Sequence, residues 1–252
     1  MSSLSELVSW LDSYLEIGAI TDSSWNGLQV EGSTEVTKVA LAVDAGHEVF
    51  VKVAASNSQL MIVHHGHFWD RVDPSLTKDS RQRLSPLLDE DISLYAAHLP
   101  LDRHLEVGNN AELLRVLGAK VADPWHFHEG INVSWLGEYT DGLPRQELLS
   151  RIQEHVTPDA HVLPFGPDAI SRVAVITGSG RSGGFYEAVA AGADTYITGD
   201  PAYVYHAAKD MGVNVIFAGH YATETFGVKA LGVKLAEQFG VDTEYIDVPT
   251  GI

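Results

Sequence analysis

The sequence predicts an α/β protein made of two similar domains, each a mainly parallel sheet covered by helices. Two observations carry this. Short apolar runs of strand character alternate with amphipathic runs of helical period, the pattern of βαβ units with strands buried on both faces. The alternation is interrupted once, from Val121 to Gly166, and then resumes. Three βα units before the break and three after it point to two related halves, here placed at 1–125 and 126–252, without a residue-level repeat.

The elements follow in order. "MSSLSELVSWLDSYLEIGAI" sets Leu4, Leu7, Val8, Leu11 and Leu15 at helical spacing, so the chain opens on an amphipathic helix and not on a signal segment. "VTKVALAVDAG" is a strand running into a glycine turn, and "HEVFVKVAASN" is a helix. "QLMIVHH" is a strand, and "SRQRLSPLLDED" a helix broken near Pro86, because proline lacks the N–H that a helix interior needs. "SLYAAHL" is a strand, followed by the helix "GNNAELLRVLG", which Gly118 can cap. In the break, "VADPWHFHEG" is rich in turn-formers and aromatics, and "INVSWLGEY" alternates like an exposed strand. "PRQELLSRIQEHV" is a helix with proline at its start. Strands in "RVAVITGSG", "DTYITGD" and "VNVIFAGH" then alternate with helices in "GGFYEAVAAG" and "AYVYHAAKDMG", and "TETFGVKALGVKLAEQFG" is a long final helix.

Composition narrows the function. The 252 residues include no cysteine, which removes disulfides, thiolate metal sites and cysteine nucleophiles together. His, Asp and Glu remain as metal ligands. No apolar run approaches a membrane span, so a cytoplasmic enzyme or binding protein acting on a small-molecule substrate is expected, with no membrane partner. Sixteen Lys and Arg face 34 Asp and Glu, a net charge of −18, which weighs against nucleic acid as a partner. The acidity reads most simply as solubility, and two bound divalent cations would cancel part of it.

Ligands in open α/β sheets collect beyond the carboxyl ends of the strands. Here those ends carry His64 and His65, then His98 and Asp102, then Asp200, then His220. Neighbours on a regular strand point to opposite faces, so His64 and His65 converge only if the chain turns at Gly66. Taken alone, the pair is as readily two strand-end histidines bonded to backbone. His67 is expected to line the pocket or support a ligand. In "AAHLPLDRH", Pro100 should keep the loop extended so that Asp102 reaches back over the sheet edge, with His104 solvated. His220 and Glu224 are spaced i, i+4, one helical face if a helix has begun. Three imidazoles and two carboxylates (His64, His65, Asp102, His220 and Glu224) exceed what one tetrahedral ion uses. They fit two divalent ions that share a carboxylate and keep open positions for water.

"GSGRSG", from Gly178 to Gly183, competes. It follows a strand, opens a helix and has Asp200 at the end of the next strand, as a dinucleotide fingerprint would. It comes late in the chain and leaves the histidines unexplained. A tight turn, whose backbone N–H groups could hold an anion, is preferred to a nicotinamide cofactor as the reading of Gly178–Gly184.

"NGLQVEG", "MIVHHGHFW", "AAHLPLDRH" running to "GNNAELLRVLG", "TYITGD" and "GHYATETFGVKAL" together resemble the NIF-three-like dinuclear-metal family, often labelled GTP cyclohydrolase 1 type 2 homologues. The resemblance spans nearly the whole chain, and the paired histidines and the terminal G-H-x-x-x-E are its most specific parts. It implies a di-metal site in the cleft between two α/β domains, and a toroidal homohexamer built as a trimer of dimers. His64, His65, Asp102, His220 and Glu224 would hold two transition-metal ions (zinc, iron, manganese, cobalt or nickel). His98 would stand beside them and assist proton transfer as the catalytic residue. Many members carry proline after the histidine pair, where this chain has Gly66 and His67. The implied activity is metal-dependent hydrolysis of a heterocyclic or phosphorylated substrate, with GTP ring opening as one form and Arg103 and Arg181 the available phosphate-binding cations. A metal-holding regulatory or scaffold protein without turnover is the alternative, and an oxidoreductase using the glycine loop is a third.

Overall fold

The computed structural model describes residues 2–252, which divide into two compact units. The first runs to Leu101 and takes back Gly227–Val248; the second comprises Asp102–Phe226 and Pro249–Ile252. The division therefore falls at 101/102, and position 125/126 lies inside a strand.

Unit 1 begins with β1 (Ser2–Ser3) and α1 (Leu4–Tyr14), whose start is fixed by a capping box: Ser3 Oγ accepts from the Glu6 N–H and the Ser3 N–H donates to Glu6 Oε2. Then come β2 (Gly27–Val30), β3 (Glu35–Val36), β4 (Lys38–Asp44), α2 (His47–Ala55), β5 (Leu60–His65), α3 (Lys78–Asp89), β6 (Ser93–Ala96) and α4 (Leu99–Arg103). β4, β5 and β6 pair in parallel, and β2 closes one edge antiparallel to β6. Their alternate residues Ala40, Ala42, Met61, Val63, Leu94 and Ala96 bury one face against Val49, Phe50 and Val53 of α2 and Leu84 and Leu87 of α3. Two helices depart from the expectation. α3 runs through Pro86 unbroken, because Ser85 Oγ donates 3.0 Å to the Gln82 carbonyl that Pro86 cannot reach. α4 is a helix and not an extended loop: Pro100 sits in its first turn, where no N–H is needed.

Unit 2 contains α5 (Asn109–Val116), β7 (Lys120–His128), β8 (Ile131–Pro144), α6 (Arg145–His155), β9 (His161–Pro164), β10 (Ala169–Ile176), α7 (Arg181–Ala190), β11 (Thr195–Thr198), α8 (Tyr205–Met211), β12 (Asn214–Phe217) and the four-residue α9 (His220–Thr223). Its strand order is β7-β8-β10-β11-β12-β9. Only β10-β11 and β11-β12 are parallel, so this sheet is mixed and not mainly parallel. The difference lies in the break in the pattern: "VADPWHFHEG" and "INVSWLGEY" form the β7–β8 hairpin. β8 lies between β7 and β10 with Val133, Leu136 and Tyr139 buried, so it is not an exposed strand. Val173, Val175, Ile197 and Ile216 meet α5 and α6 on one face, while Ala174, Ile176, Tyr196 and Val215 meet α7 and α8 on the other.

The chain then returns to unit 1 along α10 (Thr225–Phe239) and ends its regular structure with β13 (Asp242–Tyr245), which joins β4 in parallel at the open edge of the first sheet. Gly232 of α10 lies so close to Leu41 that a Cβ would stand 2.1 Å from Leu41 Cδ1, so α10 covers the second face of β4. Among the described residues, no helix is long and apolar enough to cross a membrane.

Candidate metal centre

In unit 1 the site forms where β4, β5 and β6 end. His64 is fully buried, and its Nδ1 lies 3.0 Å from the Ala97 carbonyl oxygen, just past β6. His65 leans the other way, with Nδ1 2.8 Å from Asp44 Oδ1 on β4. Despite their adjacency the two rings are 4.6 Å apart by centroid. The chain leaves the strand at Gly66, where a Cβ would stand 2.4 Å from Gln29 Nε2 and 2.7 Å from Ala96 Cβ. Gln29 holds the turn, with Oε1 accepting from the His67 and Phe68 N–H groups and Nε2 donating to the Trp25 carbonyl. The tight approach to Gln29 and Ala96 is the reason for glycine after the pair.

His98 completes the group. Its Nδ1 lies 2.9 and 3.1 Å from the two oxygens of Asp22, and its N–H donates to Asn26 Oδ1. Asp22 also accepts from the N–H groups of Ser24 and Leu99 and from Asn26 Nδ2. Burial alone would raise the Asp22 carboxyl, but the bond to His98 and its charge, with those from Asn26 and Ser24, hold it well below the usual carboxylate range. The ligand nitrogens of His64, His65 and His98 lie within 4.8 Å of one another. Trp69 stands edge-on to His98 at 5.0 Å, with Nε1 donating to the Gly66 carbonyl. His67 sits apart, half-buried near Phe50 and Phe68, and burial followed by the charge of Arg83 lowers its pKa.

In unit 2 the ligand-type residues gather past β10, β11 and β12. Asp102 is buried, and its Oδ1 accepts from Asn109 Nδ2 at 3.0 Å and Thr177 Oγ1 at 3.3 Å. Asn110 ties the same corner together, donating to the Asp102 and Val133 carbonyls and accepting from the Thr177 N–H. Glu224 is buried beyond the last turn of α9, with a carboxylate oxygen within 4.8 Å of one from Asp102. His220 Nε2 lies 3.3 Å from Glu224 Oε2, and its Nδ1 lies 3.0 Å from Asp200 Oδ1. The Glu224 bond pushes His220 up to about 9, against burial, with the Glu224 charge and Asp200 adding to it. His104 lies outside the site, where its Nδ1 accepts from the Glu106 and Val107 N–H groups.

The glycine loop serves the same corner. Gly178 has φ +62°, and a Cβ there would stand 2.1 Å from Glu224 Oε1 and 3.0 Å from His220 Nε2. At Gly180 a Cβ would collide with the buried Tyr196 hydroxyl, and its N–H donates to Thr198 Oγ1. Two of the three fingerprint glycines thus have packing reasons within the protein itself.

The donor set suits a transition metal. In all four imidazoles Nδ1 faces an oxygen acceptor: a carbonyl for His64, and carboxylates for His65, His98 and His220. An acceptor at Nδ1 orients the ring and favours coordination through Nε2, the usual support for a metal-binding histidine. Asp22, Asp44, Asn109, Asn110 and Thr177 were not anticipated as contributors. Asp44 alone had a signal: it ends a strand next to β5, at the same level as His65.

Fold and donors define an α/β protein with His/Asp/Glu groups fit to hold metal. The chain belongs to the Duf34/NIF3 (NGG1p interacting factor 3) family, whose description matches residues 2–250. Relatives called GTP cyclohydrolase 1 type 2 homolog include one from Archaeoglobus fulgidus, 42% identical over 250 residues with 99% of each chain covered. Another, from Halobacterium salinarum, is 38% identical over 254 residues, again with 99% of each covered. Among solved structures, the protein ybgI, of unknown function, is 35% identical with a TM-score of 0.92 over 100% of both chains. A Thermus thermophilus protein is 39% identical with a TM-score of 0.90, also over 100% of both.

Proposed function

We propose that this protein is a cytoplasmic dinuclear-metal hydrolase acting on a small heterocyclic or phosphorylated molecule. His64, His65, Asp102, His220 and Glu224 would hold the ions, in a homohexamer built as a trimer of dimers. The observation that carries the reading is the set of four imidazoles held at Nδ1 by oxygen acceptors. Two such ions supply Lewis acidity and activate water near neutral pH.

The chain's own residues do the rest. Asp102 and Glu224 bring negative charge that imidazoles lack, which offsets repulsion between two dications. Asn109 and Thr177 fix one oxygen of Asp102, and the absence of a side chain at Gly178 makes room for Glu224. Trp69 walls off the side of His98 and limits water there.

GTP enters as a candidate substrate through the name its relatives carry. The shortage of cations favours a second reading, a metal-holding scaffold without turnover. Arg103 Nε already donates to the Asn132 carbonyl, and Arg181 is the other cation considered for a triphosphate. Metal-reconstituted protein should carry two ions per chain by elemental analysis and hydrolyse at least one member of a panel of nucleotides, pterins and phosphate esters. One ion at saturation sinks the dinuclear centre. Two ions with no turnover across the panel favour the scaffold.

A further inference from the structure

We propose that the indole of Trp69 is a stacking platform for a planar heterocycle, with Ser24 beside it as the polar contact for the edge of that ring. The proposal rests on the small-molecule reading of the metal centre and chooses between the two substrate classes given there: a heterocycle, not a simple phosphate ester. Every residue it uses lies within unit 1.

Trp69 is partly exposed, and its ring centroid lies 5.0 Å from that of His98 and 6.1 Å from that of His65. A ring resting on it would border the imidazoles. Interplanar angles of 70° and 42° mean that neither imidazole lies flat on the indole, and among the described residues no other ring stacks there. Trp10 and Trp25 differ: Tyr14 lies at 14° to the one and Phe68 at 27° to the other. The platform is also rigid. Trp69 Nε1 donates to the Gly66 carbonyl at 2.8 Å, and its backbone forms an antiparallel bridge with Ser24. Flanking bonds run from the Trp25 N–H to the Phe68 carbonyl and from the Asp70 N–H to the Ser23 carbonyl. Residues opposite each other in such a ladder send their side chains to the same face, so Ser24 stands beside Trp69. Ser24 Oγ is buried, and among the described residues it has no hydrogen-bond partner. A buried hydroxyl left unpaired is costly, and the N–H and carbonyl edge of a heterocycle supplies either kind of partner. A flat apolar wall with a few placed polar groups is how such rings are held. Neither side chain carries charge for a bare phosphate ester.

The test uses the full-length, Zn²⁺-loaded protein and reads binding by equilibrium dialysis, without turnover. Guanosine, adenosine, cytidine and pterin serve as heterocycle probes without phosphate, and ribose 5-phosphate as a phosphate ester without an aromatic ring. At least one heterocycle should bind the parent more tightly than ribose 5-phosphate. Trp69→Leu should weaken that binding about tenfold or more, and Trp69→Phe, which keeps a π-face, should recover most of it. Ser24→Ala should weaken it severalfold. Phe127→Leu, at an exposed aromatic of unit 2, is the control and should change nothing. Elemental analysis should find equal zinc in every variant. Equal heterocycle affinity with and without Trp69→Leu overturns the proposal, and so does tighter binding of ribose 5-phosphate than of every heterocycle. If the leucine variant fails to fold or loses zinc, 5-fluorotryptophan in the parent protein decides. The heterocycle should move the ¹⁹F signal of Trp69 and leave that of Trp10 in place; an unmoved Trp69 signal overturns the proposal. Heterocycle binding without any turnover would sink the hydrolase reading and keep the stacking site. Turnover of phosphate esters with no heterocycle bound would do the reverse.

Discussion

Asp44 and His65 occupy paired positions on the neighbouring parallel strands β4 and β5, and the carboxylate Oδ1 lies 2.8 Å from the imidazole Nδ1. Parallel register sends paired side chains to the same face, so the support for a ligand is built into the sheet itself. Asp44→Asn keeps an acceptor but removes its charge, leaving His65 less basic. Metal affinity, read by competition with a chromophoric chelator, should fall about 10–100-fold with little change in Tm. Unchanged affinity would mean that His65 does not bind through Nε2.

Gly178→Ala should keep the fold but damage the site. Its Cβ would stand 2.1 Å from Glu224 Oε1, and φ of +62° adds backbone strain of about 1 kcal/mol or more. Lower metal content with intact far-ultraviolet circular dichroism is expected. Gly183→Ala meets nothing within 4 Å and should leave metal content alone. If both variants load metal equally, Glu224 is not a ligand.

Glu224→Gln keeps the side chain's size and removes its charge, so one ion per chain should be lost or weakened at least tenfold. Glu237→Gln, on the exposed side of α10, should retain both ions. Elemental analysis after dialysis separates the two outcomes.

Proton release should accompany metal uptake. In the metal-free protein His220 stands at about 9 against an ordinary 6.5, chiefly through Glu224. A raised pKa adds stability that is fully present below about 6.5 and is lost as pH climbs through about 9. Metal-free protein should thus lose Tm over that window, and coordination at pH 7.5 should expel the His220 proton. Calorimetric titrations in buffers of different ionisation enthalpy should detect its release, and Glu224→Gln should diminish it. A buffer-independent enthalpy would contradict the assignment.

Much of the fold was legible because buried parallel strands leave an unmixed signal. "VALAV" and "LMIV" have no polar position to obscure them. The β7–β8 hairpin was harder: Asp123, Pro124 and the two histidines of β7, His126 and His128, resemble a loop locally, and only pairing with β8 makes them a strand. Pro86 misled because its compensation lies in one neighbouring hydroxyl. The metal-type donors were visible as residues at strand ends. Their supports were not, since Asp22 lies 76 positions from His98 and Thr177 lies 75 from Asp102. Sequence spacing carries no information about such pairs; only the folded chain brings them together.

The return of Gly227–Val248 to the first unit has a consequence for synthesis. Unit 2 is nearly continuous and can close its core as soon as it leaves the ribosome. Unit 1 cannot, because β13 is made last and β4 waits for it with an unpaired edge and one face not yet covered by α10. The stretch up to Leu101 is thus held open until α10 and β13 emerge. A nascent chain stalled after Phe226 should expose a sticky strand edge and recruit chaperones, while one released beyond Val248 should not. Pulse proteolysis of stalled chains of both lengths measures the difference.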